Sequence, residues 1–334
     1  MPRVAVLIPA RNAGPTVRAA LRSIQRQTVR DLAVVAVDDG SDDGTPELVA
    51  GAAERDPRVI LVRATGAGIA AALNHGLARC DCELVARMDA DDIAHPRRLE
   101  RQLAALDACP GILAVGSQVR AFPRRQVRMG MRRYVEWLNG LTSPALVARD
   151  LLVESPLVHP ASVIRRDGLE RLGGWREGAF PEDYDLWLRA HEAGGVLSNV
   201  AEPLLLWREG PRRATRQDPR YALSRYVVLK CAHLRRTVLA GRDEVALWGA
   251  GETGKAFADA LRLHGVRVAL FLEVDPKKVG RTIRDAPVLA YHDASRARGM
   301  PLLVAVGAPG ARPLIRAELS KQRFVELHDY WCVS

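Results

Sequence analysis

Cysteine is scarce, with five in 334 residues, and its spacing excludes two classes of protein. Cys80 and Cys82 stand one residue apart, while Cys109, Cys231 and Cys332 are scattered. No pair has zinc-site spacing, and an odd count argues against a disulfide framework. Small buried thiols in a reducing compartment are the reading that remains. Aromatic residues are few at 5%, so the abundant arginines lack the stacking set that single-stranded nucleic acid needs, and nucleic acid is not an expected partner. No apolar run approaches the ~20 residues of a membrane span. Met1-Pro2-Arg3 runs directly into apolar Val4-Ala5-Val6-Leu7-Ile8, without a secretory signal's layout or cleavage site. A cytoplasmic protein is expected. There is also no internal repeat and no low-complexity segment.

What is present is an ordinary globular composition, long enough for two domains, with a net charge of +10 carried far more by arginine than by lysine. Arginine suits bidentate contact with phosphate, so nucleotide diphosphates, lipid phosphates and anionic membranes are all candidate partners.

The chain opens as alternating strand and helix. Val4 to Pro9 reads as a buried strand. Val17, Ala20, Leu21 and Ile24 then repeat at i, i+3, i+4 and i+7, one face of a helix. Leu32 to Val37, Val59 to Val62 and Leu84 to Met88 are further strands, with helices after Thr45-Pro46 and over Ile69 to Ala78. This alternation predicts a parallel sheet with helices on both faces, whose ligands bind at the carboxyl ends of the strands. Arg11, Asp39 and Asp89 lie just past such ends. From Ser117 to Leu157 the pattern is less regular and rich in arginine. Turn residues at Pro211-Arg212-Arg213 and Asp218-Pro219 precede a basic linker helix over Tyr221 to Leu239. A second alternating unit begins near Glu244. The expected division is 1–215, a linker helix within 216–241, and 242–334.

Three segments carry candidate chemistry. In Arg87-Met88-Asp89-Ala90-Asp91-Asp92, three carboxylates at a strand end repel one another and suit a divalent cation, magnesium or manganese. An acidic turn that caps the helix after Pro96 explains the same run. In Val37-Asp38-Asp39-Gly40-Ser41, the strand-end carboxylates can accept hydrogen bonds from a base or ribose, while Asp42 to Thr45 is sufficiently explained as a turn. In Glu182-Asp183-Tyr184-Asp185-Leu186-Trp187-Leu188-Arg189, acids at a helix start either complement the macrodipole or aim a base into a cleft.

Together with Leu7-Ile8-Pro9-Ala10-Arg11-Asn12 and His159-Pro160-Ala161-Ser162, in this order, these segments resemble the inverting family-two glycosyltransferases of the GT-A fold. The resemblance covers about residues 1 to 210. It implies an α/β fold with a GT-A type nucleotide-sugar-binding sheet and flanking helices. It also implies a nucleotide-diphosphate sugar donor and a saccharide or lipid-linked hydroxyl acceptor, as in bacterial surface polysaccharide or glycolipid synthesis. By this resemblance Pro9, Arg11, Asp39, Gly68, Asp89 and Arg208 are donor-binding. Asp89 and Asp91 form the metal motif, with Asp91 the direct ligand, and Asp183 is the general base. His159, Glu182 and Trp187 lie on the acceptor side, with Trp187 available to a sugar face. The family often places a histidine after its aromatic-arginine pair. Here Trp207-Arg208 leads into Glu209-Gly210-Pro211, which leaves diphosphate contact to Arg208, Arg212 or Arg213.

The C-terminal Gly249-Ala250-Gly251-Glu252-Thr253-Gly254 follows a strand and opens a helix, the setting of a dinucleotide fingerprint, and Glu273 and Asp275 fall where a ribose-binding acid belongs. This segment resembles a small Rossmann-like α/β domain with a nucleotide or dinucleotide as ligand; a glycine turn kept for packing is the alternative. Arg124, Arg125, Arg128, Arg132 and Arg133 crowd a short stretch with Val127, Met129 and Met131. It reads either as a solvated arm or as peripheral contact with a phosphorylated lipid or anionic membrane at the inner face. Two other functions fit parts of the pattern. One is a nucleotide-sugar oxidoreductase working through the C-terminal fingerprint, which would reduce NAD(P). The other is a non-catalytic scaffold, against which intact Asp91 and Asp183 argue.

Overall fold

The computed structural model describes residues 1–211 and 213–334, so Arg212 and its expected phosphate contact lie outside the described residues. The chain forms two units. The first comprises Met1–Val147, Pro156–Gly178 and Glu182–Gln217; the second comprises Ala148–Ser155, Ala179–Pro181 and Asp218–Ser334.

The first unit is built on eight strands: β1 (Val4–Ala10), β2 (Leu32–Asp38), β3 (Val59–Arg63), β4 (Leu84–Arg87), β5 (Ile93–Ala94), β6 (Ile112–Phe122), β7 (Val163–Arg165) and β8 (Val196–Arg208). Their order is β3-β2-β1-β4-β7-β6-β8-β5. The first four are parallel, as the alternation predicts. The expected all-parallel sheet is corrected beyond them: β7 runs antiparallel to both β4 and β6, and β5 antiparallel to β8. The helices of this part are α1 (Val17–Gln25), α2 (Thr45–Ala53), α3 (Ile69–Leu77), α4 (Arg98–Ala108), α5 (Met129–Asn139), α6 (Pro144–Asp150, crossing into the second unit), α7 (Arg166–Arg171), α8 (Glu182–Glu192) and α9 (Ala214–Gln217).

Hydrophobic burial explains the assembly. Val4 to Ile8 are buried on both faces of β1, and the i, i+3, i+4, i+7 face of α1 is buried as well. Gly76 lies inside α3, where glycine is ordinarily unfavourable. A Cβ there would come within 2.3 Å of Leu7 Cδ1 and 2.6 Å of Val37 Cγ2, so its absence lets α3 lie close on β1 and β2. That packing brings the start of α3 to the carboxyl ends of these strands.

The second unit has strands β9 (Glu244–Trp248), β10 (Arg267–Glu273), β11 (Thr282–Ile283), β12 (Ala286–Ala290), β13 (Leu302–Val304) and β14 (Tyr330–Cys332), with helices α10 (Leu223–Arg236), α11 (Glu252–Leu263) and α12 (Ala311–Lys321). The order is β11-β12-β10-β9-β13-β14, parallel except for β11 against β12. The helix expected as a linker is α10, and it is part of this unit's core: Val227, Lys230, Cys231, His233 and Leu234 are buried. Lys230 Nζ donates to the carbonyls of Val153 (2.8 Å) and Val333 (3.1 Å), and burial pulls its pKa down to about 8. Arg316 pairs with buried Asp150 and with Glu326 (2.8 Å). Segment 148–155 thus completes the second unit.

Candidate functional site

The parallel strands deliver their carboxyl ends to one edge. Backbone and side chain lock the first two loops together. The N–H of Asn12 donates to Ser41 Oγ (3.0 Å), that of Asp42 to Asn12 Oδ1 (3.0 Å), and that of Gly14 to Asp43 Oδ2 (2.8 Å). Pro9 is half-buried in β1 and Arg11 is exposed beyond it. Asp39 is buried just past β2. Its Oδ2 accepts the N–H of Gly68 (3.0 Å), while its Oδ1 has no hydrogen-bond partner among the described residues. Gly68 has φ +104°, a conformation glycine adopts freely, at the entry to α3. Asp39 and Gly68, far apart in sequence, therefore meet at the carboxyl edge of the sheet.

Asp89, Asp91 and Asp92 converge after β4, each offering a carboxylate oxygen within 4.8 Å of the others. Buried Arg87 pairs with Asp89. Burial first, and the charge of Asp89 second, push Asp91 up to about 6, against the opposing pull of Arg208 and Arg213. Burial, then Asp89 and Asp91, raise Asp92 well above the usual carboxylate range. Asp92 is 1% exposed; its Oδ1 accepts the N–H of Arg208 (2.7 Å), and its Oδ2 has no partner among the described residues. Arg208 Nε donates to the Asp91 carbonyl (2.6 Å), and its guanidinium lies 4.5 Å from the Phe122 ring centre. Arg213 stacks 3.8 Å over Trp207 and pairs with buried Glu209 (3.2 Å). Three mutually repelling carboxylates with an orphaned oxygen are a donor set that a hard divalent cation fits. The acidic run suggested all three carboxylates for a cation, whereas the family resemblance assigned the role to Asp89 and Asp91 and gave Asp92 none. The signal was in the acidic run, but burial and the orphaned oxygen are not legible there.

A line of contacts leads from this cluster to α8. The N–H of Arg87 donates to the Ser162 carbonyl (2.8 Å), and Ser162 Oγ donates to the His159 carbonyl (2.7 Å). Trp187 meets the His159 ring edge-on at 6.2 Å. Asp183 is on the first turn of α8, half-buried, with Oδ1 accepting the N–H of Tyr184 (2.7 Å); Glu182 beside it is buried. Two acceptor-side expectations are corrected. Trp187 is 1% exposed, so it supports α8 from beneath and offers no face to a sugar. His159 is buried too, with Nε2 accepting the N–H of Trp175 (2.8 Å); it is a neutral strut whose proton sits on Nδ1, held well below its ordinary pKa by burial and by Arg87.

In the second unit, a Cβ on Gly254 would meet the Gly249 carbonyl oxygen at 1.9 Å, whereas one on Gly251 would meet nothing within 4 Å. The expected ribose role of Glu273 is corrected. Its carboxylate is buried and accepts the N–H groups of Ala250 (3.0 Å), Val274 (2.9 Å) and Asp275 (3.2 Å) and Lys278 Nζ (3.1 Å). Burial alone would raise its pKa; these donors bring it below the ordinary value. Asp275 is half-buried and accepts the N–H of Lys277 (3.0 Å).

Residues 5–173 match the family model described as glycosyl transferase family 2, and the chain belongs to that family. It is 30% identical over 233 residues to the putative glycosyltransferase EpsE of Bacillus subtilis, covering 68% of this chain and 81% of that one. It is 31% identical over 191 residues to the amylovoran biosynthesis glycosyltransferase AmsE of Erwinia amylovora, covering 57% and 69%. Among solved structures, S. aureus TarS 1–349 in complex with UDP-GlcNAc has a TM-score of 0.59 at 18% identity, covering 78% of this chain and 72% of that one, a likeness of fold. The mannosyltransferase PcManGT from Pyrobaculum calidifontis, in complex with GDP-Man and Mn2+, has a TM-score of 0.50 at 26% identity, covering 79% and 69%. The chain is a glycosyltransferase with the GT-A fold. No described helix is long and apolar enough to cross a membrane.

Proposed function

We propose that this enzyme moves a sugar from a nucleotide-diphosphate donor to a hydroxyl acceptor with inversion at the anomeric carbon, in the synthesis of a bacterial surface polysaccharide or glycolipid. The observation that carries this reading is the convergence of Asp89, Asp91 and Asp92 beside Arg208, with Asp92 Oδ2 left unpartnered among the described residues. The three carboxylates would hold magnesium or manganese, which when bound supplies positive charge for the leaving diphosphate. Arg208 and Arg213 add fixed positive charge on the same side. Asp39, with its orphaned Oδ1, accepts from the base or ribose, and Pro9, Arg11 and Gly68 line that pocket. Asp183 takes the proton of the acceptor hydroxyl as it attacks, and Glu182 shapes the acceptor side. A single in-line displacement inverts the centre. The names of EpsE and AmsE support transfer over an oxidoreductase or a scaffold. The test is calorimetry of nucleoside diphosphate with manganese. Asp91→Ala should weaken metal-dependent binding while leaving the fold intact, and unchanged affinity would sink the assignment.

The second unit fits a Rossmann-like fold, since Gly254 lets α11 start against the end of β9. If it takes a nucleotide, open Gly251 admits the phosphates, and Asp275 rather than Glu273 meets the ribose.

A further inference from the structure

The face formed by the end of β6, the turn at 124–126 and α5 has a charge pattern that sugar transfer does not use. Arg120, Arg124, Arg125, Arg128, Arg132 and Arg133 are all exposed. Among the described residues none of the six has a carboxylate partner. Elsewhere on the surface Arg97, Arg171 and Arg284 each hold one. Glu136 is the one acid on α5. Like charges packed this densely repel one another, so the arrangement is most favourable when an outside anion faces it.

The same face is not purely polar. The inner side of α5, with Met131, Tyr134, Val135 and Trp137, packs on the protein's own core and fixes the helix in place. Met129 projects outward at 62% exposure. Between β6 and α5 runs a groove of about 430 Å³ whose lining combines apolar Val119, Ala121, Val127 and Val135 with three arginines, Arg120, Arg124 and Arg132, against one acid, Glu136. Exposed arginines beside an apolar groove and an outward methionine match a surface that is anionic at the headgroups and apolar just beneath.

We propose that this face docks the enzyme on an anionic lipid bilayer, with the arginines at the headgroups and Met129 and the groove at the acyl boundary. The proposal is independent of the donor site and of Asp183. The test is cosedimentation of the full chain with vesicles of phosphatidylcholine alone and of phosphatidylcholine mixed with phosphatidylglycerol. The parent should bind the anionic vesicles and not the neutral ones, and ~0.5 M salt should release it. Arg124→Gln, Arg128→Gln and Arg132→Gln together should lower partitioning on the order of a hundredfold, about fivefold per arginine. Nucleoside diphosphate affinity and thermal unfolding should stay unchanged, because these side chains are exposed and lie outside the donor site. Equal binding to both vesicle types would overturn the proposal, as would parental binding by the triple variant. A duplex oligonucleotide that binds the parent and is not displaced by anionic vesicles would assign the face to nucleic acid instead.

Discussion

Asp92→Asn should change the stability of the metal-free and metal-loaded enzymes in opposite directions. The side chain keeps an oxygen for the Arg208 N–H and replaces the orphaned Oδ2 with a neutral amide NH2 donor beside Asp89 and Asp91. Burial first, and the charges of Asp89 and Asp91 after it, raise Asp92 well above the usual carboxylate range, so the metal-free fold carries a cost at this position that a neutral amide does not. Asp89 is partly solvated, with a side chain 33% exposed, which screens its share. A net gain of about 1–2 kcal/mol is therefore expected without metal, or a rise of roughly 2–8 °C in midpoint for a unit of this size. With manganese the order should reverse. A parent saturated at about 100 times its dissociation constant gains about 2.7 kcal/mol from the ion, and the variant forfeits most of that. Thermal unfolding of both proteins in chelator and in manganese gives all four values. A variant that is less stable in chelator, yet keeps the parent's full manganese increment, would refute the cation reading of the cluster.

Two further outcomes test the supporting structure and the second unit. Unfolded histidine gains its proton below about pH 6.5, whereas buried His159 resists it, so His159 contributes stability above that pH and loses about 1.4 kcal/mol per unit as pH falls below it; urea unfolding at descending pH should show a shallower loss in His159→Gln, and equal slopes would remove His159 from the account. Gly251→Leu should leave unfolding unchanged because its Cβ meets open space, but should abolish binding of ADP, UDP or NAD to the second unit; a parent that binds none of these in equilibrium dialysis returns the glycine turn to packing.

The sequence was most informative where structure is local. The α1 face follows from four apolar positions, and the first four strands follow from short apolar runs ending in Arg11, Asp39 and Asp89. The order around β7 was not legible. The apolar run Ile112 to Val115 of β6 gives way to Ser117, Gln118 and Arg120, and β8 reaches Leu204 to Trp207 only after Asn199, Glu202 and Pro203, so neither strand reads as one continuous apolar segment, and their pairing joins residues far apart in sequence. Trp187 reads in sequence as a sugar platform, and only its burial in the fold, against His159, shows that it faces the core. Glu273 stands where a ribose acid belongs, yet nearby backbone N–H groups consume its oxygens, a competition that spacing does not reveal.

The central claim is an inverting transfer with Asp183 as base. Proton NMR of freshly formed product, followed in time for the parent and for Asp183→Asn, tests it most directly. The account predicts the anomeric configuration opposite to the donor's, and a rate lower by about 10²–10⁴ in the variant. A product that retains the donor's configuration, or an Asp183→Asn enzyme that turns over at nearly the parent's rate, would contradict it.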